Sequence, residues 1–171
     1  MQKYTVNELL AARENRTELI DELLKRYHTP LLVMRVNYPG LEKMNQLTVN
    51  IIEAMSPVVC TSLSNKICGK LLLRGPEGPI LYVAVKEDVL ALKMIAIKFE
   101  EKHPLGRCLD LDVYDLKGKS IGRQELGYPM RKCYLCEDYA HHCVRARRHS
   151  KLEVIAYIEE KFKEYRDNIL C

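Results

Sequence analysis

Apolar positions alternate between helical and strand spacing along the chain. Between Thr5 and Tyr27, Leu9, Ile20, Leu23, Leu24 and Tyr27 contribute to one side of a helix. Thr5 and Glu8 have the spacing of a capping box, and Tyr4 with Leu9 can staple the same end. From Pro30 the run LLVMRVNYPG predicts a mostly buried strand closed by Pro39-Gly40. Leu41, Met44, Leu47, Ile51 and Met55 then return to helical spacing, which places Lys43 in the first turn of a second helix. Residues 58–63 predict a short strand, and 64–69 a loop. LLLR and ILYVAV flank Gly75–Pro79, a hairpin with a five-residue loop. Asp88 caps a helix carrying Val89, Leu92, Ile95, Ala96 and Phe99, which stops near His103-Pro104. A strand over Leu109–Asp115 follows, then a turn at 117–119 and a short return strand at 120–123. Ser150 and Glu153 repeat the capping-box spacing for a last helix striped by Val154, Ile155, Ile158, Phe162 and Tyr165, with the chain ending at Cys171.

Helices and strands that alternate irregularly, with a hairpin and no glycine-rich nucleotide loop, predict an α+β fold. We expect a mixed or antiparallel sheet packed with helices, and a Cys/His/Arg-rich helical C-terminal segment. The 171 residues suit a single domain, with an α+β core over 1–127 and the distinctive segment over 128–171. Composition changes this picture little. A hydrophobic share of 47% and a charged share of 29% are ordinary for a globular protein. No apolar run is expected to span a bilayer, and the N-terminus lacks the apolar stretch of a signal peptide, so a cytoplasmic location is expected. A net charge of +4 suits an anionic substrate or an acidic protein partner, without demanding nucleic acid.

The chemistry concentrates in HPLGRCLDLDVYD, residues 103–115. On a strand, residues two apart share a face, so Asp110, Asp112 and Tyr114 point one way, and Leu109, Leu111, Val113 and Asp115 the other. Two neighbouring carboxylates can lean onto one hard divalent cation. Gly106 and Arg107 just before them add a flexible backbone and a guanidinium suited to phosphate oxygens. His103 reads as a loop histidine. Pro39-Gly40 ahead of a helix offers an anion site that Lys43 would reinforce. Arg13 and Arg16 stand one helical turn apart, near Glu14, Glu18 and Asp21.

RKCYLCEDYAHHCVRARRH holds Cys133, Cys136, Cys143 and His149. This spacing can supply a Cys₃His zinc set, with His141 as an alternative fourth ligand. Packed reduced thiols and a redox pair are the competing readings. Cys60, Cys68, Cys108 and Cys171 read as scattered buried or terminal thiols. If the segment is helical, Arg145, Arg148 and His149 line one side of it and Arg147 lies off that side.

HPLGRxxDLDV, followed by LGxPxRxCxxC and CxRxRRH, resembles the citrate lyase holo-acyl-carrier-protein synthases, also called apo-citrate lyase phosphoribosyl-dephospho-CoA transferases. The resemblance extends to RExR at Arg13–Arg16, and to NxPGxxK at Asn37, Pro39, Gly40 and Lys43. It implies an enzyme that moves phosphoribosyl-dephospho-CoA from triphosphoribosyl-dephospho-CoA onto a serine of the citrate lyase acyl-carrier subunit, releasing pyrophosphate. It further implies Mg²⁺ on Asp110 and Asp112, Arg107 as a catalytic cation, and Lys43, Gly40 and Asn37 as substrate-binding residues. Arg145 and Arg148 would meet either donor phosphates or the carrier. Neither nucleic acid nor a membrane is an expected partner. The competing hypotheses are a small zinc module that binds RNA or an acidic protein, and a non-catalytic assembly subunit.

Overall fold

A computed structural model describes residues 4–169; Cys171 lies outside the described residues. Among the described residues, four strands form one antiparallel sheet in the order β2-β3-β1-β4, with five α-helices around it. The strands are β1 (Leu31–Val36), β2 (Ile67–Gly75), β3 (Gly78–Val85) and β4 (Leu109–Tyr114). The helices are α1 (Val6–Tyr27), α2 (Gln46–Leu63), α3 (Val89–Lys102), α4 (Ala140–Ala146) and α5 (Lys151–Ile169).

The pleat sorts side chains between two cores. Leu31, Val33, Ile80, Tyr82 and Ala84 meet Ile20, Leu23 and Leu24 of α1 on one face. Leu32, Met34, Leu81, Val83, Leu111 and Val113 meet α2, α3 and α5 on the other, through Ile52, Met55, Leu92, Ala96 and Ile158. Every residue of β3 is buried because both of its faces are covered. In β4 burial alternates, with Leu109, Leu111 and Val113 inside.

The capping boxes at Thr5/Glu8 and Ser150/Glu153 form as expected. Other local expectations change. Residues 58–63 do not form a strand; α2 continues through them because Met55, Val59 and Leu63 fall on one buried stripe, which overrides Pro57 and the β-branched run. Residues 46–66 are thus apolar and long enough by composition to cross a membrane, yet Ile51, Ile52 and Met55 are core residues. The same helix begins at Gln46, capped by Asn45 and Thr48, so Lys43 precedes it. Pairing of Gly75 with Gly78 shortens the hairpin loop to Pro76 and Glu77, and β2 reaches back to Ile67. Gly78 takes φ +88°, and the Lys43 carbonyl lies 2.7 Å from where a Cβ would stand. Past β4, the expected return strand reduces to a Tyr114–Ser120 bridge, after which a 3₁₀ turn begins at Arg123.

A candidate active site at the edge of the sheet

Strand pairing sets Arg35 of β1 directly opposite Asp110 of β4. Arg35 Nη2 donates to Asp110 Oδ2 at 2.8 Å and to Asp112 Oδ2 at 3.3 Å, so one guanidinium ties both carboxylates together. Both Asp side chains remain partly open, at 29% and 24% exposure, on the face that carries Tyr82 and Tyr114. Arg131 approaches from the segment after Gly127: Nη1 donates to Asp110 Oδ1 at 3.4 Å and Nη2 to the Leu109 carbonyl at 2.6 Å. Burial and the neighbouring Asp110 charge raise the Asp112 pKa, against the pull of Arg35. Burial works against the Arg35 charge too, but Asp110, Asp112 and Glu77 more than offset it and its pKa is raised.

Glu77 holds the other side of Arg35. It sits in the β2–β3 turn with a side chain 4% exposed, 2.9 Å from Arg16 Nε, 3.7 Å from Arg13 Nε and 3.8 Å from Arg35 Nη1. Arg13 and Arg16 therefore turn inward to the hairpin rather than pairing along their own helix. Lys43 Nζ donates to the Tyr38 carbonyl at 2.6 Å. Burial, then the nearby Arg35 and Arg13 charges, lower its pKa. Such a crowd of cations around few acids is suited to a polyanion.

Arg107 is displaced from its expected place beside the aspartates. It lies in a 3₁₀ turn with its guanidinium 4.8 Å from the Tyr134 ring, and Nη2 donates to the Lys132 carbonyl. Its Nη1 is buried without a hydrogen-bond partner among the described residues. Burial, then the like charge of Arg131, lower its pKa. Gly106 makes this turn possible, since a Cβ there would press on the carbonyl oxygens of Phe99 and Glu100. Glu100, 5% exposed, accepts the Leu111 amide at 3.0 Å and lies 3.6 Å from both Arg123 and Arg131. Burial raises its pKa. His103 caps α3, accepts the Leu105 amide at Nδ1 and stacks on Phe99 with centroids 4.8 Å apart. Asp115 binds the amides of Lys117 and Lys119 instead of facing the pair.

A cavity of about 690 Å³ opens beyond the Val36–Leu109 end of the sheet, lined in part by Asn37, Pro39, Gly40, Tyr134, Arg147 and Lys151. Tyr134 donates its hydroxyl proton to the Asn37 carbonyl at 3.1 Å. Cys133, Cys143 and His149 also line the cavity, and with Cys136 their sulfur and nitrogen atoms all lie within 4.8 Å of one another. His149, the Asp138 backbone and Cys143 hold the Cys136 thiol down to about 6, while burial pushes Cys143 up to about 12. His141 is outside this group and faces Tyr139 and His142. The arginine expectation needs correction. Helix α4 ends at Ala146 and Arg147 takes φ +47°, so Arg145, Arg148 and His149 do not share a helix side. Arg147 lines the cavity, Arg148 pairs with Asp138 at 2.9 Å, and Arg145 is exposed. Among the lone thiols, Cys108 is buried, Cys60 half-buried and Cys68 exposed.

The sequence singled out neither Arg35, Glu77 nor Tyr134, and it marked Arg131 only as the arginine of LGxPxRxCxxC, without a role. The signal for Arg35 was a single charge inside an otherwise apolar run, LLVMRV.

The sequence model of the family described as apo-citrate lyase phosphoribosyl-dephospho-CoA transferase matches residues 4–165. A protein of Vibrio cholerae serotype O1 (strain M66-2), named a probable apo-citrate lyase phosphoribosyl-dephospho-CoA transferase, is 36% identical over 165 residues, covering 94% of this chain and 93% of its own. Proteins named apo-citrate lyase phosphoribosyl-dephospho-CoA transferase from Citrobacter koseri and Shigella boydii serotype 18 are each 30% identical, covering 91% of this chain and 86% of their own.

Proposed function

Because the chain belongs to the apo-citrate lyase phosphoribosyl-dephospho-CoA transferase family, we propose that it installs the prosthetic group of citrate lyase by a nucleotidyl-type transfer. The donor is triphosphoribosyl-dephospho-CoA and the acceptor a serine of the acyl-carrier subunit. The serine oxygen forms a bond to the phosphorus next to the ribose, and the bond from that phosphorus to pyrophosphate breaks. The observation that carries this assignment is the convergence of Asp110 and Asp112 with Arg35 and Arg131 at a partly open sheet face.

Asp110 or Asp112 accepts the serine proton as the new bond forms. Arg35 holds the pair in place, engaging only Oδ2 of each carboxylate. Arg131, Arg107 and Lys43 stabilise negative charge on the transferred and leaving oxygens. Arg107 has a buried Nη1 proton to offer such an oxygen. Asn37, Gly40 and Arg147 line a cavity that can take the dephospho-CoA portion, and the exposed Arg145 and Lys132 suit an acidic carrier surface. The donor set also fits Mg²⁺: two carboxylates share a face, burial and then the like charge of Asp110 raise the Asp112 pKa, and Mg²⁺ is commonly held by one or two carboxylates plus substrate phosphates. Bound there, the ion would neutralise charge on the reacting polyphosphate. A cytoplasmic location belongs to the same proposal.

Intact-mass measurement on apo carrier subunit incubated with this protein, donor and Mg²⁺ tests the proposal. The expected result is a gain equal to the prosthetic group, together with released pyrophosphate and loss of both on chelation. Carrier left unmodified by the native, metal-replete protein would overturn it.

A further inference from the structure

We propose that Cys133, Cys136, Cys143 and His149 bind one structural zinc ion, which fastens the segment after Gly127 across the end of the sheet. The geometry carries this. Cys136 Sγ lies 3.4 Å from Cys143 Sγ and 3.4 Å from His149 Nε2, within a set spanning 4.8 Å. Tetrahedral zinc with Zn–S bonds of about 2.3 Å sets its thiolates about 3.8 Å apart. The four ligands come from three places in the chain. Cys133 and Cys136 belong to a turn closed by the Cys133 amide on the Asp138 carbonyl, Cys143 to α4, and His149 to the entry of α5. One ion would join all three.

The surroundings match a metal thiolate. The Leu135 amide points at Cys133 Sγ at 3.5 Å, and Arg148 Nη1 at Cys136 Sγ at 3.9 Å, so a backbone dipole and a cation lie ready to offset excess thiolate charge. Loading the site binds the three cysteines as thiolates, any remaining thiol protons passing to solvent, and His149 ligates through Nε2. Four protein ligands close the coordination sphere, which assigns the ion a structural rather than a catalytic role.

The segment also has little apolar burial with which to hold its shape. From Gly122 to Ser150, Cys143 is the one buried residue, and Leu135, Tyr139 and Val144 are exposed. Apolar burial of that extent cannot order nearly thirty residues, and small folds in this position rely on metal or disulfide crosslinks. Yet Arg131 and Tyr134 must stay ordered to meet Asp110 and Asn37.

The test is elemental analysis and native mass spectrometry of the full chain produced in zinc-sufficient medium. One zinc per chain is expected, absent from Cys136→Ser and Cys143→Ser and retained by Cys68→Ser. Since the first two variants could unfold the segment outright, cobalt reconstitution of the reduced wild-type chain supplies an independent reading, with the intense visible bands of tetrahedral, thiolate-rich cobalt expected at one equivalent. A reduced wild-type chain that takes up neither zinc nor cobalt, or peptide mapping that finds Cys136 and Cys143 joined as a disulfide in the native protein, would overturn the proposal. Neither measurement depends on carrier modification, so this proposal and the transferase assignment fail separately.

Discussion

The Asp110–Asp112 face and the Cys133–His149 lobe adjoin each other but are built by opposite means. The first stands on paired strands whose other side is a continuous apolar core, so its charges are positioned by backbone hydrogen bonds and by burial they do not themselves supply. The second has one short helix, one isolated bridge and almost no buried apolar surface; side-chain polar bonds hold it, and the sulfur and nitrogen atoms of Cys133, Cys136, Cys143 and His149 cluster within it. A carboxylate pair with a tied guanidinium needs a rigid base, because small displacements spoil its electrostatics. The lobe carries residues that approach the pair from outside, and it can be ordered locally.

Breaking the sheet-borne site should give the largest effect. Asp110→Asn or Asp112→Asn is expected to slow carrier modification by about 100-fold or more, the usual scale for a lost general base. Circular dichroism should remain native. A comparable loss accompanied by unfolding would mean that the pair is structural.

Glu77→Gln acts on the support of the same site. It leaves Arg13, Arg16 and Arg35 converging on a neutral group. Breaking a buried pair costs about 3–5 kcal/mol, and the partial exposure of the arginines reduces the expected loss to about 2 kcal/mol in urea unfolding. Slower transfer should accompany it, since Arg35 loses one of its anchors. Tyr134→Phe probes the other region by removing the hydroxyl that binds the Asn37 carbonyl. An expected loss of about 1 kcal/mol should fall on the lobe, seen as faster amide exchange over 131–149 with β1 and β3 unchanged.

The smallest effect concerns Glu100, which serves both regions through Leu111 and Arg131. Its native pKa is raised by burial, so the folded chain holds this proton more tightly than the unfolded one. That contribution to stability is full below the ordinary carboxylate range and is lost as pH rises through the raised native value. Glu100→Gln, which retains an acceptor for the Leu111 amide, should therefore gain stability relative to the native chain as pH rises over that window. Denaturant midpoints measured across it check the sign.

Parts of both regions were legible in the primary structure. The shared face of Asp110 and Asp112 follows from the pleat alone, and Cys133-x2-Cys136 with Cys143 and His149 follows from ligand chemistry and spacing. Arg35 and Glu77 were not legible as partners, because one looked like a stray charge in a buried strand and the other like an ordinary turn residue. The helical reading of Arg145 and Arg148 failed because it assumed a helix that α4 ends at Ala146, where Arg147 turns left-handed. Residues 58–63 illustrate the same weakness: β-branched residues suggested a strand, and packing of Val59 and Leu63 beneath the sheet kept them helical.

By itself the order of residues determined the family, the capped starts of α1 and α5, the alternation of β4 and the Cys and His content of the lobe. Each depends on contacts within a few residues or on side-chain chemistry that needs no partner. The tertiary structure alone decided the strand order β2-β3-β1-β4, and with it the placing of Arg35 against Asp110, 75 residues away in the chain. Strand register is chosen by the burial of whole faces against helices, a global balance to which no local pattern has access.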